Sequence, residues 1–410
     1  MKAYPEYKSS GIDWLGEIPS HWNVSKIKHY ISISNGSDPS LVGNIPVYGT
    51  GELPFKTCGE FKEGPTVLLG RKGSIDIPHW VEGRYWNVDT AFDTKVIGNY
   101  NIRYFWYIAN IIDINPYKST TAVPSMTQSA YDNMLIPIPS MGEQELIAAY
   151  LDEVTGKVDA LIVEKRAQIE DLRAYRTSLI TETVTRGLNP NAPLRHSGID
   201  WLGDIPEHWE IVKLAWLASV QTGTTPSTSI EKYWINTTKD WFTPGDFDGF
   251  EVKDSKRKVS AAAYNEMACR VFPPYTIYLV GIGATLGKVA YCKTEASANQ
   301  QINAITFNED IYPIYGSYYL SSINQIIKAV SNSVTLPILN QEQTKNLQFL
   351  VPPLSEQKEI ADFLGEKTSK IDTLINELSK QLDELAEYKK AVISEAVTGK
   401  VDVRDYQSQN

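Results

Sequence analysis

Few side chains in this chain are placed to do covalent chemistry, and their spacing argues against most of it. Gly281-Ile282-Gly283-Ala284-Thr285-Leu286-Gly287-Lys288 follows the apolar run Thr276–Val280, where a phosphate-cradling or methyl-donor loop would sit. Such a loop needs a helix N-terminus behind it. Val289-Ala290-Tyr291-Cys292 instead reads as a second strand, and no acid is placed to close a ribose site, so the segment is expected to be a tight hairpin whose glycines let backbone approach DNA. Phe272-Pro273-Pro274-Tyr275 lacks the polar first residue with which an Asn/Asp-Pro-Pro-Tyr motif holds a target amine. Asp246, Glu251 and Lys253 have the types of a metal-nuclease site, but they lie in one Gly-rich turn that reads better as a solvated loop. Cys58, Cys269 and Cys292 form no CxxC or Cys/His cluster and are expected to be free thiols in a reducing compartment.

What remains is polar recognition. Arg71 and Lys72 precede Gly73, and Lys288 accompanies Asn299, Gln300 and Gln301. Arg can contact guanine and Asn or Gln adenine bidentately in the major groove, while Lys commonly anchors phosphate. Lys56, Ser74, Thr225 and Ser227 complete the candidate DNA contacts. A net charge of −10 excludes a simple DNA coat. The acid is unevenly spread: residues 24–135 balance to zero and residues 211–350 to +1, whereas residues 143–186 and 356–400 each carry −3. Two neutral domains on an acidic frame leave room for DNA only at local patches.

An internal repeat organises these elements. Ser10–Trp22 (SGIDWLGEIPSHW) recurs as Ser197–Trp209 (SGIDWLGDIPEHW), 11 of 13 positions identical at an offset of 187. His21 and His208 thus stand twice beside Trp22 and Trp209, the pattern of a docking residue rather than of a metal ligand. At an offset of 213, Glu143-Gln144 matches Glu356-Gln357, Val158-Asp159 matches Ile371-Asp372, and Thr181–Thr185 matches Ser394–Thr398. Each second match opens a long heptad-patterned segment. Leu151, Val154, Val158, Leu161, Lys165, Gln168, Leu172, Tyr175 and Leu179 predict one seam; Leu364, Lys367, Ile371, Leu374, Leu378, Gln381, Leu385, Tyr388 and Val392 predict its twin. Lys165 and Gln168, with Lys367 and Gln381, would fix register. About 42 residues at about 1.5 Å each make a rod of about 60 Å. Ser140 and Ser355 offer side chains for capping near the helix starts, and Gly187 and Gly399 suit the ends.

The expected fold class is therefore α+β: two mixed α/β domains joined by two long antiparallel coiled-coil helices in a pseudo-twofold internal repeat. The expected segments are residues 1–142 (repeated segment and first domain), 143–186 (first helix), 187–355 (linker, repeated segment and second domain), 356–400 (second helix) and a tail, 401–410. No apolar run is long enough to cross a membrane and no leader is evident, so a cytoplasmic protein is expected.

These residues closely resemble the specificity subunits of type I restriction-modification enzymes. The likeness rests on Ser-Gly-Ile-Asp-Trp-Leu-Gly twice, Thr222-Gly223-Thr224-Thr225-Pro226-Ser227 opening the second domain, Gly283–Ala290 as its hairpin, and Val351-Pro352-Pro353-Leu354-Ser355-Glu356-Gln357 leading into a helix. It covers almost the whole chain. The first domain, with Ile45-Pro46-Val47-Tyr48-Gly49 and Leu68-Leu69-Gly70-Arg71-Lys72-Gly73, resembles a different subtype that lacks the Gly-Thr-Thr-Pro-Ser opening. The resemblance implies two target-recognition domains and no catalytic centre, with one half-site of an asymmetric bipartite target read by each domain. It also implies double-stranded DNA, two copies of a DNA adenine methyltransferase subunit and ATP-dependent motor-nuclease subunits as partners. S-adenosylmethionine, ATP and Mg²⁺ would be bound by those partners and no cofactor by this chain. The competing readings are a self-contained DNA methyltransferase or nuclease, and a coiled-coil adaptor with no nucleic-acid role.

Overall fold

The computed structural model describes residues 2–119, 123–247, 249–331 and 337–406. The chain forms two compact units, one of Met1–Ala167 with Leu378–Asn410, the other of Gln168–Glu377. Both divisions fall inside a long helix, so the first unit is built from two separate stretches of sequence and the second from the single stretch between them. The helices run over Met141–Arg186 and Leu354–Val397.

In the first unit the larger sheet has the order Ile31–Asn35, Ala91–Val96, Thr66–Gly70, His79–Val81, all antiparallel. Its inner strand, Thr-Val-Leu-Leu-Gly, is buried along its whole length, as a short apolar run covered on both faces should be. A smaller sheet has the order Lys56–Cys58, Ile45–Tyr48, Arg84–Asn87, Lys62–Glu63, and its middle pair is parallel. Helix Ile102–Ala109, capped by the Asn101 side chain, buries Tyr104, Phe105, Tyr107 and Ile108.

The second unit repeats this topology. Its larger sheet runs Ala218–Thr222, Ile302–Phe307, Ile277–Val280, Val289–Tyr291; its smaller runs Lys258–Ser260, Thr237–Phe242, Ala296–Ala298, Val271–Phe272, again with the middle pair parallel. The first domain is therefore not a different architecture. In place of Gly-Thr-Thr-Pro-Ser it carries a variant of that opening: Gly36-Ser37-Asp38-Pro39-Ser40 precedes Gly223-Thr224-Thr225-Pro226-Ser227 by 187 residues and leaves the equivalent strand.

The long helices pair antiparallel. In the first unit Asp159 meets Lys389 at 2.7 Å and Lys165 Nζ donates to Gln381 Oε1 at 2.6 Å, so the numbering rises along one helix as it falls along the other. In the second unit Arg176 Nε lies 2.9 Å from Asp372. Adding 213 to Asp159 and Arg176 gives Asp372 and Lys389, so one ion pair occurs twice with its members exchanged, the reciprocity of an isologous contact.

The seam has a different phase from the predicted one. Leu151, Val158, Leu364, Ile371 and Val392 are buried and Leu172, Leu179, Leu378 and Leu385 half-buried, but Leu161 and Leu374 are 44 % and 47 % exposed, and Tyr175 and Tyr388 are exposed too. Thr155, Ile162, Ile169 and Arg176 take the intervening places, as do Thr368, Ile375, Leu382 and Lys389. Steps of three-then-four and four-then-three share every other position, and the adjacent apolar pairs Leu161-Ile162 and Leu374-Ile375 satisfy both. The polar seam residues are recognisable only through their partners. Thr155 Oγ1 lies 3.3 Å from Tyr107 Oη and Thr368 Oγ1 3.2 Å from Tyr318 Oη, while each threonine also donates to the carbonyl four residues back.

The repeated segments dock onto helix starts. His21 Nε2 lies 2.8 Å from Glu143 Oε1, and Trp22 Nε1 donates to the same oxygen at 3.2 Å. His208 and Trp209 hold Glu356 alike, at 2.7 and 3.0 Å. Ser140 forms a capping box with Glu143, its Oγ donating to Oε2 at 2.9 Å and accepting from the Glu143 N–H at 3.3 Å. Ser355 does not play the corresponding part, because the second helix already begins at Leu354. Gly187 and Gly399 end the helices at φ +76° and +72°, and a Cβ on them would meet Trp209 at 3.1 Å and Pro19 at 2.3 Å. Lys2 and Asp402 form a β-bridge, so the two chain ends close the first unit together.

Candidate nucleic-acid interface

Each domain brings three loops to one edge of its larger sheet through the same backbone hydrogen bonds. Gly36 N–H donates to Ala91 O at 3.2 Å, and Gly223 N–H to Ile302 O at 2.9 Å. Arg71 N–H donates to Thr90 O at 2.8 Å, and Gly281 N–H to Gln301 O at 2.7 Å. Gly73 N–H donates to Pro124 O, Gly283 N–H to Pro337 O; Met126 N–H returns to Arg71 O, Leu339 N–H to Gly281 O. A Cβ on Gly36 or Gly223 would come within 2.2–2.4 Å of the carbonyl oxygens of residues 87–88 or 298–299, so only glycine lets these strands cross. The hydrogen bonds therefore match Asp38 with Thr225, Arg71 with Gly281, Lys72 with Ile282, Asp89 with Gln300, and Thr90 with Gln301.

The side chains at this common edge differ. In the second domain Thr225 and Gln300 are exposed and the Thr225 hydroxyl donates to Gln300 Oε1. Asn299 is buried; its Nδ2 donates to Gln301 Oε1 at 2.9 Å and its Oδ1 accepts the Gln301 N–H at 3.0 Å. It shapes the loop that presents the two glutamines. Gln341, next along the same cleft of about 390 Å³, donates to Thr222 Oγ1 at 2.9 Å. In the first domain the corresponding edge is charged. Arg71 Nη1 donates to the Asp89 carbonyl at 3.0 Å and lies 3.8 Å from its carboxylate, and Lys72 Nζ lies 3.9 Å from the same carboxylate.

Other candidates lie apart from this edge or at its rim. Ser74 is exposed next to Gly73, and Ser227 is exposed with its hydroxyl 2.8 Å from that of Ser229. Lys56 is exposed on an outer strand of the smaller sheet, 5.5 Å from the Phe55 ring. Lys288 does not join Gln300 and Gln301. It lines a separate cleft with Arg173, Arg176 and Asn324, and its Nζ reaches Phe247 O at 3.4 Å. Asp38 and Asp89 were missed by sequence reasoning; the Gly-x-x-Pro-Ser spacing at an offset of 187 was the signal for the first.

The glycine-rich segment is a hairpin between Ile277–Val280 and Val289–Tyr291, with Gly283 and Gly287 at φ +99° and +86°. Two of its glycines serve internal packing rather than access: a Cβ on Gly281 would meet Leu339 O at 2.8 Å, and one on Gly287 would meet Asn324 Nδ2 at 2.5 Å. Asp246 is buried, its carboxylate accepting from Thr243 N–H, Thr243 Oγ1 and Lys256 N–H. The hydrogen bond and charge of Lys293, 2.8 Å away, hold the Glu251 carboxyl below its ordinary range. Both acids thus have structural partners, and among the described residues no cluster of His, Cys, Asp and Glu could hold a metal ion. No described helix is long and apolar enough to cross a membrane.

Residues 19–171 and 206–385 match the family model of the type I restriction modification DNA specificity domain. The chain is 31 % identical to the type I restriction enzyme MjaIX specificity subunit of Methanocaldococcus jannaschii over 44 % of its own length and 41 % of that protein. It is 22 % identical to the MjaVIII specificity subunit of the same organism over 99 % of this chain and 98 % of that one. Against the Escherichia coli EcoDI specificity subunit the figures are 19 %, 94 % and 90 %. A solved structure described as the basis of complex assembly and conformational transition of the type I R-M system superposes with a TM-score of 0.71 at 14 % identity, covering 94 % of this chain and 99 % of that one.

Proposed function

The chain belongs to the type I restriction-modification specificity family, and from that premise we propose that it reads an asymmetric bipartite DNA site, one half-site per domain, for enzymes carried by other subunits. The observation that carries this reading is the pair of equivalent sheet edges, built by the same hydrogen bonds and furnished with different side chains. Identical scaffolds with unlike surfaces suit two unlike half-sequences. The chain is the non-catalytic member of its system. Methyl transfer to adenine and DNA cleavage fall to a methyltransferase subunit and an ATP-dependent motor-nuclease subunit, which would bind S-adenosylmethionine, ATP and Mg²⁺ in the cytoplasm.

Two copies of the methyltransferase fit the repeat. The first unit exposes Leu161 and Tyr388 on its long helices and the second exposes Leu374 and Tyr175, which are the same positions under the offset of 213. Bulky apolar residues left outside the seam at equivalent places suit two equal contacts with one kind of partner. Mapping methylated adenines in DNA modified by this chain with its methyltransferase should give a two-part consensus with an unread gap. The pure chain, given DNA, Mg²⁺, ATP and methyl donor, should leave the DNA unchanged. Turnover by the pure chain, or modification without sequence preference in the complex, would overturn the reading.

A further inference from the structure

We propose that the two equivalent edges read different base pairs by different chemistry: Gln300, oriented by Thr225, reads the adenine of an A·T pair, and Arg71, held on Asp89, reads the guanine of a G·C pair. This rests on the reading of the chain as a two-half-site DNA reader and assigns a role to named side chains within it.

The second edge has no room for a long side chain at the place of Arg71. Its occupant is Gly281, where a Cβ would already stand 2.8 Å from Leu339 O. Base contact there falls to the neighbouring loop, where Gln300 is exposed beside Thr225. The Thr225 hydroxyl donates to Gln300 Oε1, which occupies one lone pair of the amide oxygen and fixes its plane. The second lone pair and the NH₂ group stay available, an acceptor beside a donor, which is the complement of adenine N6–H and N7 in the major groove.

At the first edge the residue equivalent to Gln300 is Asp89, an acceptor without a donor. The donors come from the equivalent of Gly281: Arg71 is tied by one Nη1 contact of 3.0 Å to the Asp89 carbonyl, with the carboxylate 3.8 Å away on the same side. That contact takes one of five N–H donors and orients the guanidinium, leaving a pair free for guanine O6 and N7. Lys72, whose Nζ is 3.9 Å from the same carboxylate, adds charge without a planar fork.

The test is methylation mapping by the complete methyltransferase complex on a library with both half-sites randomised. The wild type should fix an A·T pair in one half-site and a G·C pair in the other. Gln300→Ala should lower preference for that A·T pair by roughly 10- to 100-fold and leave the other half-site unchanged. Thr225→Val, which keeps the side-chain shape, should weaken the same base pair alone. Arg71→Gln should relax the G·C pair in the opposite half-site. An unchanged two-part consensus in these variants would overturn the assignment while leaving the bipartite reading intact, as would a uniform loss of affinity with a shallower salt dependence in Arg71→Gln, the signature of a phosphate contact. A wild-type complex without any sequence preference would overturn the functional reading beneath both.

Discussion

Replacing Glu143 and Glu356 in turn by alanine should have unequal effects although the two residues are repeats of each other. Both accept from the His-Trp pair of a repeated segment at the start of a long helix. Their surroundings differ: the Glu143 side chain is 8 % exposed and that of Glu356 is 36 %. Glu143→Ala strips the acceptor from Trp22 Nε1–H, which lies fully buried, and from the Ser140 N–H and hydroxyl of the capping box. Leaving the buried indole donor unpaired costs about 1–3 kcal/mol, and losing the capping contacts of the exposed Ser140 adds about 1 kcal/mol, about 2–4 kcal/mol together. Water can replace much of the Glu356 carboxylate, and its loss should cost about 1–2 kcal/mol. Because the chain has two compact units, a single melting curve is a poor measure. Hydrogen exchange of peptides covering residues 19–26 and 140–151, against 206–213 and 353–364, reads each junction separately. Acid adds a second check. Burial opposes ionisation of Glu143, but the hydrogen bonds from His21, Ser140 and Trp22 outweigh it and hold the carboxyl below its ordinary value of 4.5. A depressed folded-state value means that this stabilisation is complete above pH 4.5 and fades as pH falls through the lower folded value, a dependence that Glu143→Gln should remove. Equal losses at the two junctions, or a larger one for Glu356→Ala, would refute the argument from burial.

Gly36→Ala and Gly223→Ala should each abolish reading of one half-site while leaving the other, since a Cβ at 2.2–2.4 Å from carbonyl oxygens forces the crossing loops apart; affinity of the complex for DNA carrying each half-site alone measures it, and a joint loss of both would count against independent edges. Adding seven residues to both long helices at positions related by the offset of 213 should lengthen each by about 10 Å and widen the unread gap by about one to three base pairs, with part of the change absorbed by DNA twist. Methylation mapping on variable-gap DNA reads this directly, and altered half-sequences at an unchanged gap would show that helix length is not the ruler. Lys389→Ala and Arg176→Ala, which break the reciprocal ion pairs, should each cost no more than about 1 kcal/mol, because Asp159 and Asp372 are about half exposed; local hydrogen exchange in the helices at low and high salt tests it.

Much of this molecule was readable from residue order. Two repeats at offsets of 187 and 213 are enough to place two long helices, a domain ahead of each and a His-Trp segment used twice, because helical periodicity and helix-ending glycines are local properties. The hairpin formed by the glycine-rich segment was legible for the same reason. Tertiary structure decided the rest. The seam took Ile162 and Ile375 over Leu161 and Leu374, adjacent apolar residues that suit either phase, and the observed phase sets Ile169 and Leu382 inward in place of Gln168 and Gln381. Asn299 turned inward to hold Gln301, and Lys288 went to a different cleft from the glutamines, although sequence places all of them together. The correspondence of Asp89 with Gln300 is invisible in residue identity. It exists because backbone hydrogen bonds between distant loops, which any side chain can accompany, build the same edge twice, and the side chains on that edge were then free to diverge.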